Sequence, residues 1–265
     1  LVTDGQVRWE DGQTYFARGI KGFSINGLIR YFDTNTYYRQ PVPEGKLQWQ
    51  GPISVRDFQF AQANSPKPVK AVITGPYTLA RLSKQGVYSS LPDLVMDLAG
   101  ILNREAHELQ KAGATFIQFD EPAILWHPED WALFEKASAA LTQGLRVKTA
   151  LYTWFKDATA VGARLFRLPF DVYGLDLVMG GASEKLLKEF PRDKELGAGI
   201  VDARNTKLET VEEIEASLQR LARWVSPDRI YVNPSCGLEY LPRDRARAKL
   251  HRLVEGVRKA QEVLA

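Results

Sequence analysis

Short apolar runs that end in polar residues recur along the chain, and each is followed by apolar positions spaced for a helix. The runs fall near residues 69–75, 114–120, 147–153, 172–178, 196–202 and 230–234. The helical patterns fall near 92–112, 129–143, 157–167, 184–190, 211–225 and 243–264. The runs are almost continuously apolar, as parallel strands covered on both faces are. Strand and helix alternating at this spacing predict βαβ units and a parallel sheet. Local signals agree. Pro92 and Pro128 suit a first helical position, Thr210-x-x-Glu213 reads as a capping box, and Gly113 and Gly144 suit helix stops.

Leu1-Val2-Thr3-Asp4-Gly5 reads as one more strand end, which makes seven. A closed (β/α)8 TIM-type barrel has eight. The pattern therefore predicts an α/β fold of this barrel type whose first strand and helix lie upstream of Leu1. The alternative is an open doubly wound sheet, although no Gly-x-Gly-x-x-Gly turn follows any strand to supply the usual dinucleotide fingerprint. Residues 12–50 interrupt the alternation. They are rich in Gly and aromatics, show no helical period, and predict an excursion with one or two hairpins near the barrel mouth. Ser54-x-x-Asp57 predicts the cap of a short helix. Residues 1–265 thus read as a single barrel domain.

Composition narrows the picture a little. A chain of 265 residues can bury a substantial single core. Its 45% hydrophobic and 25% charged residues are those of an ordinary soluble globular protein. A net charge of +3 argues against a dedicated nucleic-acid binder. No apolar run approaches the ~20 residues a membrane-spanning helix needs, and no signal-peptide pattern is visible. A single cysteine excludes an intrachain disulfide and predicts a reducing, cytoplasmic setting.

Polar residues at the C-terminal ends of barrel strands face the mouth, where barrel enzymes keep their active sites. The clearest such end is Ile117-Gln118-Phe119-Asp120-Glu121-Pro122. Asp120 or Glu121 suits a substrate ammonium group or proton transfer. Neighbours on a strand point to opposite faces, so only one of the pair faces the mouth. The competing reading is a structural carboxylate that holds loop N–H groups. Asp202-Ala203-Arg204-Asn205 is a second polar end, suited to a ligand or to tying loops together, and Tyr152 lies at a third. Cys236, in Asn233-Pro234-Ser235-Cys236-Gly237, is a candidate thiolate ligand or nucleophile. A zinc site needs further ligands at neighbouring strand ends. Tyr152, Trp154 and Met179 supply none, and His107, His127 and His251 are scattered. The competing reading of a lone cysteine is a small buried hydrophobe. Within residues 15–49, Arg18, Lys21, Arg30 and Arg39 are interleaved with aromatics. This suits an anionic, ring-containing ligand or a partner protein. The plainer reading is a hairpin whose aromatics cover the barrel end.

Several of these segments, in this order, resemble the cobalamin-independent methionine synthase family over nearly the whole chain. They are Thr3-Asp4-Gly5-Gln6-Val7-Arg8-Trp9, Thr74-Gly75-Pro76-Tyr77-Thr78, Ile117-Gln118-Phe119-Asp120-Glu121-Pro122, Val201-Asp202-Ala203-Arg204-Asn205 and Val232-Asn233-Pro234-Ser235-Cys236-Gly237-Leu238. The resemblance implies a (β/α)8 barrel and methyl transfer from a 5-methyltetrahydrofolate polyglutamate to homocysteine. The usual enzyme of that family has two such barrels, and the C-terminal one holds a catalytic zinc. Where that barrel carries His-x-Cys, this chain reads Ala150-Leu151-Tyr152. The next strand, Leu175-Asp176-Leu177-Val178-Met179-Gly180, lacks the glutamate ligand. Only Cys236 matches a metal ligand, so the implied metal site is incomplete. Gln6 replaces a glutamate of the homocysteine site. Asp33 to Pro41, Gly174 to Val178 and Asp202 to Asn205 look like the N-terminal, zinc-free copy, in its stand-alone form.

The resemblance therefore implies a component of methionine synthesis with no cofactor of its own, supporting a separate zinc-bearing catalytic barrel. Its implied substrate-site candidates are Asp120, Glu121, Asp202, Tyr152 and Gln6. Arg18, Lys21, Arg30 and Arg39 are candidates for the folate polyglutamate tail. Two other functions stand beside it: an autonomous zinc-free enzyme acting on another small molecule or methyl donor, and a non-catalytic binding module.

Overall fold

The structure is a computed structural model that describes residues 1–264. Its elements in chain order are helix α1 (Gly12–Gly19), strands β1 (Ile20–Arg30) and β2 (Tyr37–Trp49), helix α2 (Val55–Asn64), strand β3 (Ala71–Thr74), helices α3 (Pro76–Leu82) and α4 (Leu91–Lys111), and strand β4 (Phe116–Asp120). They continue with helix α5 (Trp131–Thr142), strands β5 (Lys148–Thr153), β6 (Val172–Asp176) and β7 (Glu195–Val201), helix α6 (Val211–Leu221), strand β8 (Ile230–Pro234) and helix α7 (Arg243–Leu264). Strands β3 to β8 take sheet positions in sequence order, and β1 pairs with β2 apart from them. The chain divides into two compact units, residues 1–151 with 168–170, and residues 152–167 with Asp171 onward.

In the first unit β3 and β4 are parallel, in register from Ala71 opposite Ile117 to Thr74 opposite Asp120. All of β3 and the first four residues of β4 are buried, as their apolar runs require. The strand expected at Leu1–Gly5 is a single parallel bridge, Val2 to Val69. It stops there because Gly5 and Gln6 both turn through positive φ, 75° and 52°. The excursion over 12–50 holds one antiparallel hairpin, β1–β2, with two register shifts. It also holds a helix that the sequence pattern does not predict. α1 is only eight residues long, too short to display a period. It is secured by its ends: the Asp11 carboxylate accepts the Thr14 N–H at 2.6 Å, and Phe16 and Ala17 are fully buried. Helix α2 begins after Ser54 as expected, but that residue does not cap it with its side chain. The Ser54 hydroxyl donates instead to buried Glu105 on α4, at 2.9 Å, and the Ile53 and Ser54 N–H groups join it, each at 2.8 Å.

In the second unit β6, β7 and β8 are parallel, and two glycines face each other in register, Gly174 and Gly197. Strand β6 is wholly buried, whereas β8 is half-buried along its length. The capping box of α6 forms in both directions between Thr210 and Glu213. Ile214 and Leu218 of α6 pack with Leu253 and Ala260 of α7 over Val201. Each large side chain of that seam contributes roughly 1.5–3 kcal/mol by leaving water. The helices expected at 157–167 and 184–190 are short 3-10 turns, Ala158–Ala160, Gly162–Arg167 and Gly181–Glu189. Gly162, at φ 62°, breaks the first stretch.

Candidate functional site

The sequence left Asp120 and Glu121 as alternatives, and the structure separates them. Glu121 is 2% exposed. Its two oxygens accept the N–H groups of Tyr77 at 3.0 Å and Thr78 at 2.6 Å, in the first turn of α3. A carboxylate there complements the helix dipole. Gly75 is required beside it, because a β-carbon would overlap the Glu121 side chain. Burial pushes the Glu121 carboxyl up to about 7, against the opposing hydrogen bonds from Thr78 and Tyr77. Glu121 is thus the structural member of the pair.

Asp120 ends β4 and is partly exposed. Its Oδ1 accepts the Gln118 amide N–H at 2.7 Å, and the Gln118 amide oxygen accepts from Lys70 Nζ at 2.5 Å. Gln6 lies in the turn after Gly5, where its N–H donates to Asp4 Oδ1 at 3.1 Å. The basic candidates do not form one cluster. Arg18 and Arg39 share Glu10, at 3.2 and 3.8 Å. Arg30 donates to Asn35 at 2.8 Å. Lys21 is exposed on the same strand as Arg30, nine residues away, which is roughly 30 Å along a strand.

In the second unit Tyr152 is 7% exposed. Its ring lies across the facing glycines: a β-carbon at Gly174 or Gly197 would overlap it. Its hydroxyl donates to Asn233 Oδ1 at 3.3 Å. Beside it stands Asp176, which the sequence reading passed over because the apolar run was followed to residue 178. The strand ends at Asp176 because the Asp176 carboxylate turns the chain. Its Oδ1 accepts the N–H groups of Val178 at 2.9 Å and Met179 at 2.8 Å, and its Oδ2 accepts that of Phe155 at 3.1 Å. Burial raises the Asp176 carboxyl, with those three hydrogen bonds opposing.

Asp202 is held by its backbone. Its N–H donates to Glu209 at 2.9 Å, and its Oδ1 accepts the Arg204 N–H at 2.9 Å. Lys249, fully buried on α7, donates to both Glu209 oxygens at 3.0 and 2.8 Å. The Arg204 guanidinium sits 5.0 Å from the Phe155 ring centroid, a cation–π distance. Cys236 follows Ser235, whose hydroxyl accepts the Ala203 N–H at 3.2 Å. Burial pushes the Cys236 thiol well above its ordinary range, and the Glu239 and Asp176 carboxyls push it further. A protonated thiol is a poor nucleophile. Among the described residues no group of three or more His, Cys, Asp or Glu is placed to hold a metal ion.

The family model described as "Cobalamin-independent synthase, Catalytic domain" matches residues 1–259. This chain belongs to the cobalamin-independent methionine synthase family. It is 36% identical to a methionine synthase of Saccharolobus solfataricus over 266 residues, all of this chain and 80% of that protein. It is 33% identical to a methionine synthase of Thermococcus kodakarensis, over 99% of this chain and 78% of that protein. A B12-independent methionine synthase from Shewanella sp. W3-18-1, solved in complex with selenomethionine, superposes with a TM-score of 0.92. It is 24% identical and covers 100% of this chain and 83% of that one. The fold is therefore the α/β barrel type of this methyltransferase family. The matching family model is that of the catalytic domain, whereas the motifs of this chain most resemble the N-terminal-type copy. What distinguishes the two is the residues at the metal positions.

Proposed function

We propose that this chain serves methionine synthesis as a zinc-free barrel that supports a separate zinc-bearing catalytic barrel. On this reading Asp120 contacts the ammonium group of an amino-acid ligand such as homocysteine, and Arg18 and Arg39 face the glutamate tail of a methylfolate. The observation that carries the reading is Tyr152. Where the resemblance implies a cysteine ligand, a phenol ring here fills the slot opened by Gly174 and Gly197. The remaining donors do not fit zinc either. Asp176 spends both oxygens on backbone N–H groups, and among the described residues Cys236 belongs to no group of three or more His, Cys, Asp or Glu placed to hold a metal ion. A structural or catalytic zinc site takes three or four well-placed ligands. Homocysteine becomes a nucleophile as its thiolate, and nothing in this donor set would deprotonate it.

The test is metal analysis of the pure protein together with a methyl-transfer assay, run with and without a catalytic-type barrel. The expected result is far less than one zinc per chain, no transfer by the chain alone, and altered transfer kinetics in the mixture. Stoichiometric zinc overturns the reading. The catalytic-domain match favours a second reading, an autonomous enzyme that activates its acceptor without zinc. Methyl transfer by the metal-free chain alone would establish it.

A further inference from the structure

We propose that Lys70 is a positioning residue that acts through the Gln118 amide to orient Asp120 for a ligand ammonium group. The inference deepens the reading above and rests on its assignment of Asp120 to an amino-acid ligand. Strand register places the three residues on one face. Val72 is opposite Gln118 and Thr74 opposite Asp120, and alternate residues of a strand share a face. Lys70 therefore points the same way as Gln118 and Asp120, from the position just before β3. The Gln118 amide has one orientation that satisfies both neighbours. Its oxygen accepts from the Lys70 ammonium at 2.5 Å and its nitrogen donates to Asp120 Oδ1 at 2.7 Å. Gln118 is 8% exposed, so little water competes for either end. An amide between a cation and an anion is polarised by both, which strengthens each hydrogen bond. Burial lowers the Lys70 ammonium to about 8, and the Asp120 carboxylate opposes that fall. Asp4 lines a small cavity together with Lys70. Glu121, beside Asp120, is turned away to α3.

Two measurements test the inference. The first compares binding of L-methionine with binding of 4-(methylthio)butanoate, which differs only in lacking the ammonium group. Lys70→Met and Gln118→Met should weaken methionine binding roughly tenfold, as loss of a hydrogen bond to a charged group does, and leave the des-amino compound within about twofold. A merely structural role would weaken both ligands alike. The second follows the Lys70 side chain by NMR titration without ligand, where Asp120→Asn should lower its pKa below about 8. If Lys70→Met fails to fold, Gln118→Met carries the comparison. If wild-type protein does not prefer methionine to its des-amino analogue, the assignment of Asp120 falls and the proposal with it. If wild type prefers methionine but both variants keep that preference, or Asp120→Asn leaves the Lys70 titration unmoved, the positioning role alone is overturned.

Discussion

The packing of Tyr152 on Gly174 can be tested by removing each side of the contact in turn. A β-carbon at Gly174 would overlap three ring atoms of Tyr152, a residue that is 7% exposed. Gly174→Ala should therefore cost about 1–3 kcal/mol or more, the range for overpacking a filled core. Tyr152→Leu removes the ring atoms in the way and the hydrogen bond to Asn233, at a cost of about 2–4 kcal/mol. If the clash is the cause, Gly174→Ala should be nearly neutral in the Tyr152→Leu background. The coupling energy would then equal most of the single-mutant cost, about 1–3 kcal/mol. Gly197→Ala should be rescued less fully, because its β-carbon would also stand 3.0 Å from the Gly174 Cα, which Tyr152→Leu leaves in place. Gly100→Ala is the control. Gly100 is exposed within α4 and nothing lies within 4 Å of its added carbon, so the substitution should stabilise by about 0.5–1 kcal/mol. The assay is urea unfolding, with fluorescence and circular dichroism transitions required to coincide. Additive costs for Gly174→Ala and Tyr152→Leu, within about 0.5 kcal/mol, would refute the reasoning.

Three further outcomes follow from buried charges. The Glu121 carboxyl is raised from 4.5 to about 7 in the fold, so its contribution to stability is present below about pH 4.5 and is lost as pH rises through 7. The loss should be of the order of 3 kcal/mol. Glu121→Gln should remove that part of the pH dependence, measured by denaturant titrations at pH 4.5 and 7.5; an unchanged slope would contradict it. Lys249→Met strips Glu209 of its buried partner and should cost about 3–5 kcal/mol, while adding Glu209→Met should restore much of it in thermal unfolding. Cys236 should react with a disulfide reagent at pH 8 more than about 100-fold slower than a free cysteine, and Glu239→Gln, which removes a neighbouring carboxylate, should speed it.

The alternation of apolar runs and helical patterns was enough to place β3 to β8 and helices α4 to α7, because those elements bury whole faces and leave a period in the chain. What escaped was secured by contacts rather than pattern. Helix α3 has seven residues and its N-terminus is held by Glu121, more than forty positions away. Helix α1 depends on an Asp11 cap that is local and could have been read, had the aromatic-rich segment not masked it. At the site, Asp120 was legible as a carboxylate at the end of an apolar strand. Asp176 has the same character, but Leu177 and Val178 continue the apolar run past the true strand end, so hydropathy alone put the boundary two residues late. The roles of Gly174 and Gly197 were beyond local reading, since they depend on a tyrosine from another strand.

Two of the three aspartates at strand ends, Asp120 and Asp202, share a device that pattern reading had no means to find. In each unit a lysine distant in sequence, half-buried Lys70 or fully buried Lys249, reaches the aspartate through an intermediate side chain. Lys70 acts through Gln118 on the carboxylate of Asp120, whereas Lys249 acts through Glu209 on the backbone N–H of Asp202. The intermediates differ in consequence. A neutral amide passes the influence of the ammonium to the carboxylate and leaves both charges in place. A carboxylate neutralises its lysine directly and passes on only position. Asp120 is therefore reached through its carboxylate, whereas Asp202 is held by its backbone N–H on Glu209 and by its carboxylate on the Arg204 N–H. Under the proposed reading that difference favours Asp120 over Asp202 as the contact for a ligand ammonium group, while the Asp202 carboxylate holds the Arg204 N–H in its loop.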